Sequence, residues 1–253
     1  MCGRYLLKAL PRQVIDFFGL IELEDFPPRY NIAPTQPILV VLAGPPAEPG
    51  SNRPVRYAQL ARWGFLPSWL KDTQGFPLLI NARSETAAEK NAFRGAMRHR
   101  RALVPASGFY EWKRDKGGKG KSQAYWVRPA DGGIVAFAAL METWHGPDGS
   151  EIDTVAILTT AANGEFAAIH DRMPVTIAPE DFDRWLDCRN YEPRDVADLL
   201  APPPEGLYEA VPISDRVNKV ANTDPDILER VGEQPQPDDA PPESRKDDQL
   251  DLF

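Results

Sequence analysis

The sequence predicts an α+β protein with a curved, barrel-like, mainly antiparallel β-sheet flanked by short helices. Two observations predict this class. Short segments rich in β-branched and aromatic residues outnumber the segments with helical periodicity. These segments also do not alternate with helices in the regular βαβ order that builds a parallel sheet. Because neither an internal repeat nor a linker interrupts the chain before its last part, we expect residues 1–231 to form a single domain.

The first predicted element is a short helix at residues 11–20. Pro11 suits its first turn and Gly19 its end, and between them Val14 and Phe18 recur at helical spacing. Eight strand candidates follow, at residues 38–43, 56–65, 78–83, 101–112, 123–128, 134–144, 153–160 and 207–213. Further helical patterns lie among them, near residues 86–99, 163–169, 179–187 and 193–200.

The composition changes sharply near the C-terminus. Residues 233–248 are dominated by Pro, Asp, Glu and Gln and contain no large apolar side chain, so they cannot bury enough surface to fold. The last five residues, with the sequence QLDLF, then restore three hydrophobic side chains. We therefore expect residues 232–253 to be a disordered, acidic and Pro-rich tail that ends in a short apolar anchor.

The composition is that of a soluble globular protein, with 42% hydrophobic and 26% charged residues. No apolar run is long enough to cross a bilayer, and the N-terminus lacks the pattern of a signal peptide, so we expect a cytoplasmic location. Cys2 and Cys188 are too few for a disulfide scaffold or a cysteine-built zinc site. Together with three scattered histidines, they predict no metal and no other cofactor.

The charge is unevenly distributed along the chain. The net charge is −8, yet residues 53–128 hold 16 Lys and Arg against 5 Asp and Glu, a net of +11. Residues 233–253 carry a net of −5. A basic region attracts a polyanion even when the whole protein is acidic. Charge alone leaves two interpretations open, a nucleic-acid surface or an ordinary solvated face.

The first five residues, MCGRY, carry the most distinctive chemistry of the chain. Methionine aminopeptidases remove Met1 when the next side chain is small, and Cys2 would then carry both an α-amine and a thiol. An α-amine has a pKa of about 8, so part of it is neutral at physiological pH and can attack an aldehyde. The thiol can then add to the resulting imine and close a five-membered thiazolidine.

Three internal segments place polar residues among apolar strand residues. Asn81 and Arg83 would share one face of a strand, where the amide could orient a substrate and the guanidinium could bind a phosphate. Glu111 lies between aromatic residues, whose burial would raise its pKa and suit it to acid–base chemistry. His170 lies in a polar cluster before a proline. Structural roles stay open for three of them: a turn cap (Asn81), an edge-strand ion pair (Glu111) and a surface position (His170).

Six motifs occur along the chain in one order: CGRY from residue 2, RYNIAPT from 29, WGFLPSW from 63, NARSET from 81, GFYEWK from 108 and IHDRMP from 169. Together they resemble the motifs of the SOS response-associated peptidase (SRAP) family, also called abasic-site processing proteins. The resemblance runs from residue 2 to about residue 220. It implies that the predicted sheet has the SRAP fold.

The resemblance implies that the protein captures abasic sites in single-stranded DNA and shields the lesion during replication-associated repair. After autoproteolytic removal of Met1, Cys2 would form a Schiff base with the ring-opened sugar and then a thiazolidine DNA–protein crosslink. Asn81 would position the amine or the sugar, and Glu111 would shuttle protons. His170 would assist as an acid or base and in reversal of the crosslink. These roles imply hydrolase chemistry at Met1 and Schiff-base chemistry of the lyase type, without a cofactor.

The same resemblance implies a set of contacts with DNA. Three arginines would hold phosphates, an aromatic and a proline would flank the DNA strand or support a junction, and a threonine would make a further contact: Arg4, Arg83, Arg172, Trp69, Pro34 and Thr160.

The C-terminal pentapeptide resembles the short motif by which bacterial replication and repair proteins bind the β sliding clamp. Leu252 and Phe253 would fill an apolar pocket, Leu250 would anchor nearby, and Gln249 would supply hydrogen bonds. We therefore expect the clamp and single-stranded DNA as partners, and a location at replication forks in the nucleoid.

Two other functions stay open. A Cys-dependent peptidase acting in trans would use Cys2 as nucleophile and His170 as base. A clamp-associated protein that binds single-stranded or modified DNA without a covalent step would not need the Cys2 thiol.

Overall fold

A computed structural model describes residues 2–45, 55–113 and 122–232. The strands within these residues are β1 Tyr5–Leu7, β2 Arg29–Ile32, β3 Pro37–Ala43, β4 Arg56–Trp63, β5 Asn81–Arg83, β6 Arg101–Ala106, β7 Phe109–Lys113, β8 Gln123–Pro129, β9 Val135–His145, β10 Glu151–Ala161, β11 Arg172–Pro174, β12 Thr176–Ile177 and β13 Tyr208–Ile213. The α-helices are α1 Pro11–Phe18, α2 Ser84–Ala87, α3 Arg94–His99 and α4 Phe182–Leu186. Short 3₁₀ segments occur at Pro179–Asp181, Pro193–Leu200, Asp215–Asn218 and Pro225–Leu228.

Five strands close into a barrel in the order β10-β4-β3-β6-β9, because β9 also pairs with β10. Most of the pairs are antiparallel, but β10 runs parallel to β4 and to β5. Two short strands extend the barrel, β11 beside β10 and β12 beside β9. The predicted α+β class with a barrel-like, mainly antiparallel sheet and short helices is therefore confirmed.

A second sheet, in the order β13-β8-β7-β1-β2, accompanies the barrel, and all of its pairs are antiparallel. The sequence pattern predicted one strand at residues 101–112, but this stretch divides into β6 of the barrel and β7 of the second sheet. Gly108 lies at the division with a φ of +128°. This conformation is rarely open to other residues, so the single glycine redirects the chain from one sheet to the other.

Aromatic side chains hold the two sheets together. Tyr5 of the second sheet packs edge-on against Trp63 and Phe137 of the barrel, with ring centroids 5.4 and 6.3 Å apart. Phe109 of β7 also meets Phe137, at 6.0 Å. These rings are buried, so they contribute both apolar burial and favourable edge-to-face geometry. The interface between the sheets is thus part of the core.

The helical predictions are confirmed in part. The segments at 11–20 and 179–187 contain α1 and α4, and Phe18 stacks on Phe182 with centroids 5.1 Å apart. The segment at 193–200 is a 3₁₀ helix. The pattern at 86–99 is interrupted between α2 and α3, and the break places Phe93 against Phe65.

Residues 163–169 form turns rather than the predicted helix. The Asn163 carbonyl accepts the backbone N–H groups of Phe166 and Ala167, and the Phe166 carbonyl accepts those of Ile169 and His170, so two turns follow each other. Asn followed by Gly favours a turn over helix propagation. Among the residues that the structure describes, no helix is both long and apolar enough to span a membrane.

Candidate active site

Cys2 lies just before β1 and is fully buried. Its thiol contacts the carbonyl oxygen of Arg4 at a distance of 3.8 Å. Burial raises the pKa of the thiol far above its ordinary value, and the nearby negative charge of Glu111 raises it further. The thiol of this residue is therefore neutral at physiological pH, so it is not a ready thiolate nucleophile.

Asn81 begins β5, which runs parallel to β10 in the barrel. Its Nδ2 donates a hydrogen bond to the Cys2 carbonyl oxygen at 2.8 Å. The Oδ1 of the same amide is buried and accepts no hydrogen bond from any residue in the described part of the chain. A buried acceptor without a donor is unfavourable, so this oxygen, beside Cys2, is well placed to receive an N–H.

Glu111 is the third residue of β7 and is only 4% exposed. Strand β7 lies between β8 and β1, so Glu111 is not on a sheet edge. The Tyr110 N–H donates to the Arg4 carbonyl at 2.9 Å, which brings β7 alongside the residues that follow Cys2. Burial raises the pKa of Glu111 to about 7, and the charge of Asp171 contributes in the same direction. At neutral pH this carboxyl can both donate and accept a proton.

His170 precedes β11 and is partly exposed. Its Nδ1 accepts the backbone N–H of Arg172 at 2.9 Å and also lies 3.0 Å from a carboxylate oxygen of Asp171. One nitrogen cannot accept the first contact and donate to the second, and the Asp171 side chain is largely exposed to solvent, which weakens the second contact. We therefore assign Nδ1 as the acceptor, which leaves the proton of the neutral ring on Nε2.

Glu111, His170 and Arg172 line one small cavity. Phe109 and Phe166 contribute to its apolar wall. The structure thus brings the predicted catalytic residues together: Asn81 bonds to Cys2, Glu111 acts on Cys2 electrostatically, and His170 shares a cavity with Glu111. The arrangement offers a hydrogen-bond acceptor, a carboxyl group that titrates near neutrality and an imidazole in the neighbourhood of Cys2.

Two of the three arginines predicted to bind phosphate are partly buried and already donate hydrogen bonds to protein oxygens. Arg4 donates from Nη1 to Asn31 Oδ1 and to the Val217 carbonyl oxygen, both at 2.8 Å, and burial lowers its pKa. Arg172 forms a two-pronged ion pair with Glu85. Arg83, in contrast, is exposed on β5.

The other predicted DNA contacts differ in accessibility. Trp69 is 51% exposed, and its ring meets the edge of Phe76 at 6.2 Å. Pro34 is partly exposed and precedes Thr35, whose φ is +72°. Thr160 is buried in β10. Trp69 therefore presents a face to solvent, whereas Thr160 does not. Met1 and the four tail residues Gln249, Leu250, Leu252 and Phe253 lie outside the described residues.

Comparison with known proteins decides the family. A family model described as SOS response associated peptidase (SRAP) matches residues 1–220 of the chain. The protein is a member of the SRAP family. The SRAP resemblance inferred from the six sequence motifs is thus confirmed.

Curated relatives of this SRAP protein carry a common description. The abasic site processing protein YoqW of Bacillus subtilis is 36% identical over 233 residues, covering 90% of this chain and 99% of the relative. The abasic site processing protein YedK of Escherichia coli is 29% identical and covers 91% of this chain and 100% of the relative. The abasic site processing protein HMCES of Gallus gallus is 28% identical, covering 79% of this chain and 66% of the relative.

Solved structures show the same SRAP architecture. A protein of Bacteroides thetaiotaomicron superposes with a TM-score of 0.77 at 23% identity, covering 91% of this chain and 100% of that chain. A phage-related protein of Bordetella bronchiseptica superposes with a TM-score of 0.66 at 27% identity, covering 84% of this chain and 94% of that chain.

Sequence reasoning assigned no role to two residues that contact the predicted site. Asn31 bonds to Arg4 and also donates to backbone carbonyls of the segment at 217–222. Glu85 pairs with Arg172. Both lie inside motifs that carry the SRAP resemblance, RYNIAPT and NARSET, so their position was visible in the sequence. Their partners are far away along the chain and became apparent only in the folded protein.

Proposed function

We propose that this SRAP protein captures abasic sites in single-stranded DNA by a covalent bond to Cys2, after removal of Met1. The observation that carries the proposal is the surroundings of Cys2. The Asn81 Nδ2 donates to the Cys2 carbonyl oxygen, and the Asn81 Oδ1, an acceptor with no hydrogen-bond partner among the described residues, lies beside it. A carboxyl group with a pKa of about 7 lies close by. The names of the curated relatives indicate the lesion.

The chemistry begins at the amine of Cys2. Its nitrogen attacks the C1′ aldehyde carbon of the ring-opened sugar, and one amine proton passes to the former carbonyl oxygen, which gives a carbinolamine. Protonation of the carbinolamine hydroxyl releases water and leaves an iminium ion, which returns the proton from its nitrogen to become an imine. The thiol sulfur then adds to the imine carbon while its proton passes to the imine nitrogen. The product is a thiazolidine, and one water is released for each crosslink.

Each proton transfer needs a group that changes protonation near neutral pH, and Glu111 fits this requirement. As an acid it protonates the departing oxygen, and as a carboxylate it accepts the proton of the amine or thiol. The raised pKa of the thiol makes the second role necessary, because few thiolates form without a base. The Asn81 Oδ1 would accept an N–H of the amine and so direct its lone pair toward the sugar.

His170 and the arginines complete the proposed site. The Nε2–H of His170 would donate to the sugar oxygen or support proton return when the crosslink reverses. Arg83 and Arg172 would hold phosphates beside the lesion, and the half-exposed ring of Trp69 would flank a base. The Glu111 carboxyl would also assist hydrolysis of the Met1–Cys2 peptide bond, in which water adds to the Met1 carbonyl and the Cys2 amine leaves.

A peptidase acting in trans is less well supported. A cysteine peptidase needs a thiolate, usually paired with a histidine, whereas the pKa of the Cys2 thiol is raised by burial and by Glu111. A protein that binds single-stranded DNA without a covalent step would not need a carboxyl group with a pKa of about 7 close to a buried cysteine.

The test is to incubate the purified protein with single-stranded DNA carrying one abasic site and to analyse it by denaturing gel and intact-mass spectrometry. We expect a heat-stable shifted band and a protein mass that lacks Met1 and gains the DNA minus one water. Cys2→Ala should abolish the band, whereas Cys188→Ala, which alters the other cysteine, should retain it. A full yield of adduct from protein that still carries Met1 would contradict the proposal.

We also propose that the tail binds the sliding clamp and brings the protein to replication forks. The support is the pentapeptide QLDLF at the end of a polar spacer. Tethering raises the concentration of the capture site near single-stranded DNA without any new contact to the lesion.

A further inference from the structure

Arg172 and Glu85 form a two-pronged ion pair next to the proposed active site. Nη1 donates to one carboxylate oxygen of Glu85, and Nη2 donates to the other at 2.9 Å. Nη2 also donates to the Thr159 carbonyl oxygen of β10. The arginine side chain is 12% exposed and the glutamate side chain 49% exposed. Both outward nitrogens of the guanidinium are therefore already engaged by protein oxygens.

This geometry matters because a carboxylate and a phosphate engage the guanidinium fork in the same way. Each presents two oxygens to two N–H groups in a plane. The Nε of Arg172 is buried and has no hydrogen-bond partner in the described part of the chain. A phosphate approaching from solvent would therefore meet Glu85 in the position that it needs.

We propose that Glu85 is an internal counter-anion that occupies the phosphate position on Arg172 and gives it up when DNA binds. The inference rests on the proposed function, because it assigns Arg172 to a phosphate of the bound strand. Glu85 is half exposed, so its released carboxylate can regain water, whereas the more buried Arg172 keeps its place. The exchange replaces one anion with another and leaves the guanidinium neutralised at every stage.

The hydrogen bond from Arg172 lowers the pKa of Glu85, so the carboxylate stays charged at neutral pH. An undamaged strand must therefore displace the negatively charged Glu85 carboxylate before one of its phosphates can bind Arg172. This competition would lower the affinity for any single strand, whatever its sequence. A lesion that reacts with Cys2 would still be retained, because the covalent bond does not depend on the phosphate contact. Glu85 would thus favour lesions over undamaged DNA.

The exchange predicts a specific salt dependence. In the native protein the phosphate contact forms as the Glu85 contact breaks, so the net release of counterions at this position is close to zero. In Glu85→Gln the phosphate meets an uncompensated guanidinium and releases its own counterion. Each such contact on a single strand steepens the slope of the logarithm of the DNA-binding constant against the logarithm of the salt concentration by about 0.7.

The experiment measures binding of undamaged single-stranded DNA by fluorescence anisotropy at several salt concentrations, with Cys2→Ala present throughout to prevent crosslinking. Glu85→Gln should bind several-fold more tightly at low salt and show the steeper slope. Asp16→Asn is the matched control, since it removes an equal charge from an exposed ion pair with Arg12. It should leave affinity and slope close to those of the parent.

A double variant separates exchange at Arg172 from a general effect of charge. The gain from Glu85→Gln should disappear in the Arg172→Gln background, and Arg172→Met, which also removes the charge but keeps an unbranched apolar side chain, serves if the glutamine variant unfolds. A gain that persists in either background, an equal gain in Asp16→Asn, or weaker binding by Glu85→Gln would overturn the inference. Absence of any crosslink between the native protein and abasic DNA would instead defeat the proposed function.

Discussion

At the scale of single residues, the site combines a neutral thiol with a carboxyl group that titrates near neutrality. Burial is the main cause of both shifts. The negative charge of Glu111 raises the pKa of the thiol further, and that of Asp171 raises the pKa of Glu111. In the proposed mechanism the order of chemical steps follows from this pairing. The amine would attack first, and the thiol would add once the Glu111 carboxylate can accept its proton.

Glu111 should cost the protein stability at neutral and alkaline pH. Its pKa is about 7 in the folded protein against an ordinary value of 4.5. The folded protein therefore holds the Glu111 proton more tightly than the unfolded chain does. This stabilisation of the fold is full below about pH 4 and is lost as the pH rises through about 7. Glu111→Gln, which cannot ionise, should exceed the native protein in unfolding free energy by about 2–3 kcal/mol at pH 8 and by little at pH 4. Urea unfolding across this pH range measures the difference.

The same substitution should slow crosslinking by about 100-fold or more, because glutamine cannot exchange a proton. The control is Glu142→Gln, which alters another buried glutamate that is paired with Arg100 at 3.1 Å. Losing that pair should not stabilise the protein. A Glu111→Gln variant that crosslinks at the native rate would remove Glu111 from the mechanism.

At the scale of secondary-structure elements, Gly108 separates β6 from β7 and so allows β7 to join the second sheet. A Cβ built on Gly108 would lie 2.5 Å from both the Trp126 Nε1 and the Val127 carbonyl oxygen. The carbonyl belongs to the backbone of β8 and cannot move without disturbing that sheet. Since β7 carries Glu111, this turn also sets the position of the carboxyl relative to Cys2.

Gly108→Ala should destabilise the protein by about 2–4 kcal/mol, through the positive φ and the collision with β8. Gly95→Ala is the matched control, because Gly95 lies in α3 with no atom within 4 Å of the added Cβ. That change should be neutral or stabilise by up to about 1 kcal/mol. Chemical denaturation compares the two, and equal stability of both variants would contradict the role given to Gly108.

At the scale of the whole molecule, the candidate site lies where the barrel meets the second sheet. Strand β10 pairs with β5 on one side and with β11 on the other, so the motifs NARSET and IHDRMP become neighbours. The second sheet supplies Glu111 on β7 and the chain that follows Cys2 into β1. Neither sheet alone contains all four proposed catalytic residues.

The tail belongs to this scale as well, because it would join the folded domain to another protein. If Leu252 and Phe253 anchor the tail, the double variant Leu252→Ala with Phe253→Ala should bind purified clamp at least tenfold more weakly than the native protein. Surface plasmon resonance measures this affinity. Asp251→Ala, which lies between the anchors, should bind nearly as well as the native protein. Undiminished binding after removal of residues 249–253 would exclude the motif. Crosslinking to short abasic DNA should not change in any of these variants.

Much of the fold and the site is readable in the sequence, because the signals are local. The pattern of apolar residues predicts the long strands β3, β4, β9 and β10 to within a few residues of their bounds. Short elements such as β1, β2 and β11 contain too few residues to show a period and were not predicted. The reactive start of the chain and the motifs around Asn81, Glu111 and His170 are also local, and they identify the SRAP family.

By itself, therefore, the sequence determines the fold class, the family and the chemical types of the site residues. The tertiary structure decides where strand 101–112 divides, that Glu111 is buried enough to hold a proton near pH 7, and that Arg172 is engaged by Glu85. Burial and ion pairing depend on partners that are distant in the chain. Glu85 and Arg172 are 87 residues apart, and no local pattern records such a contact.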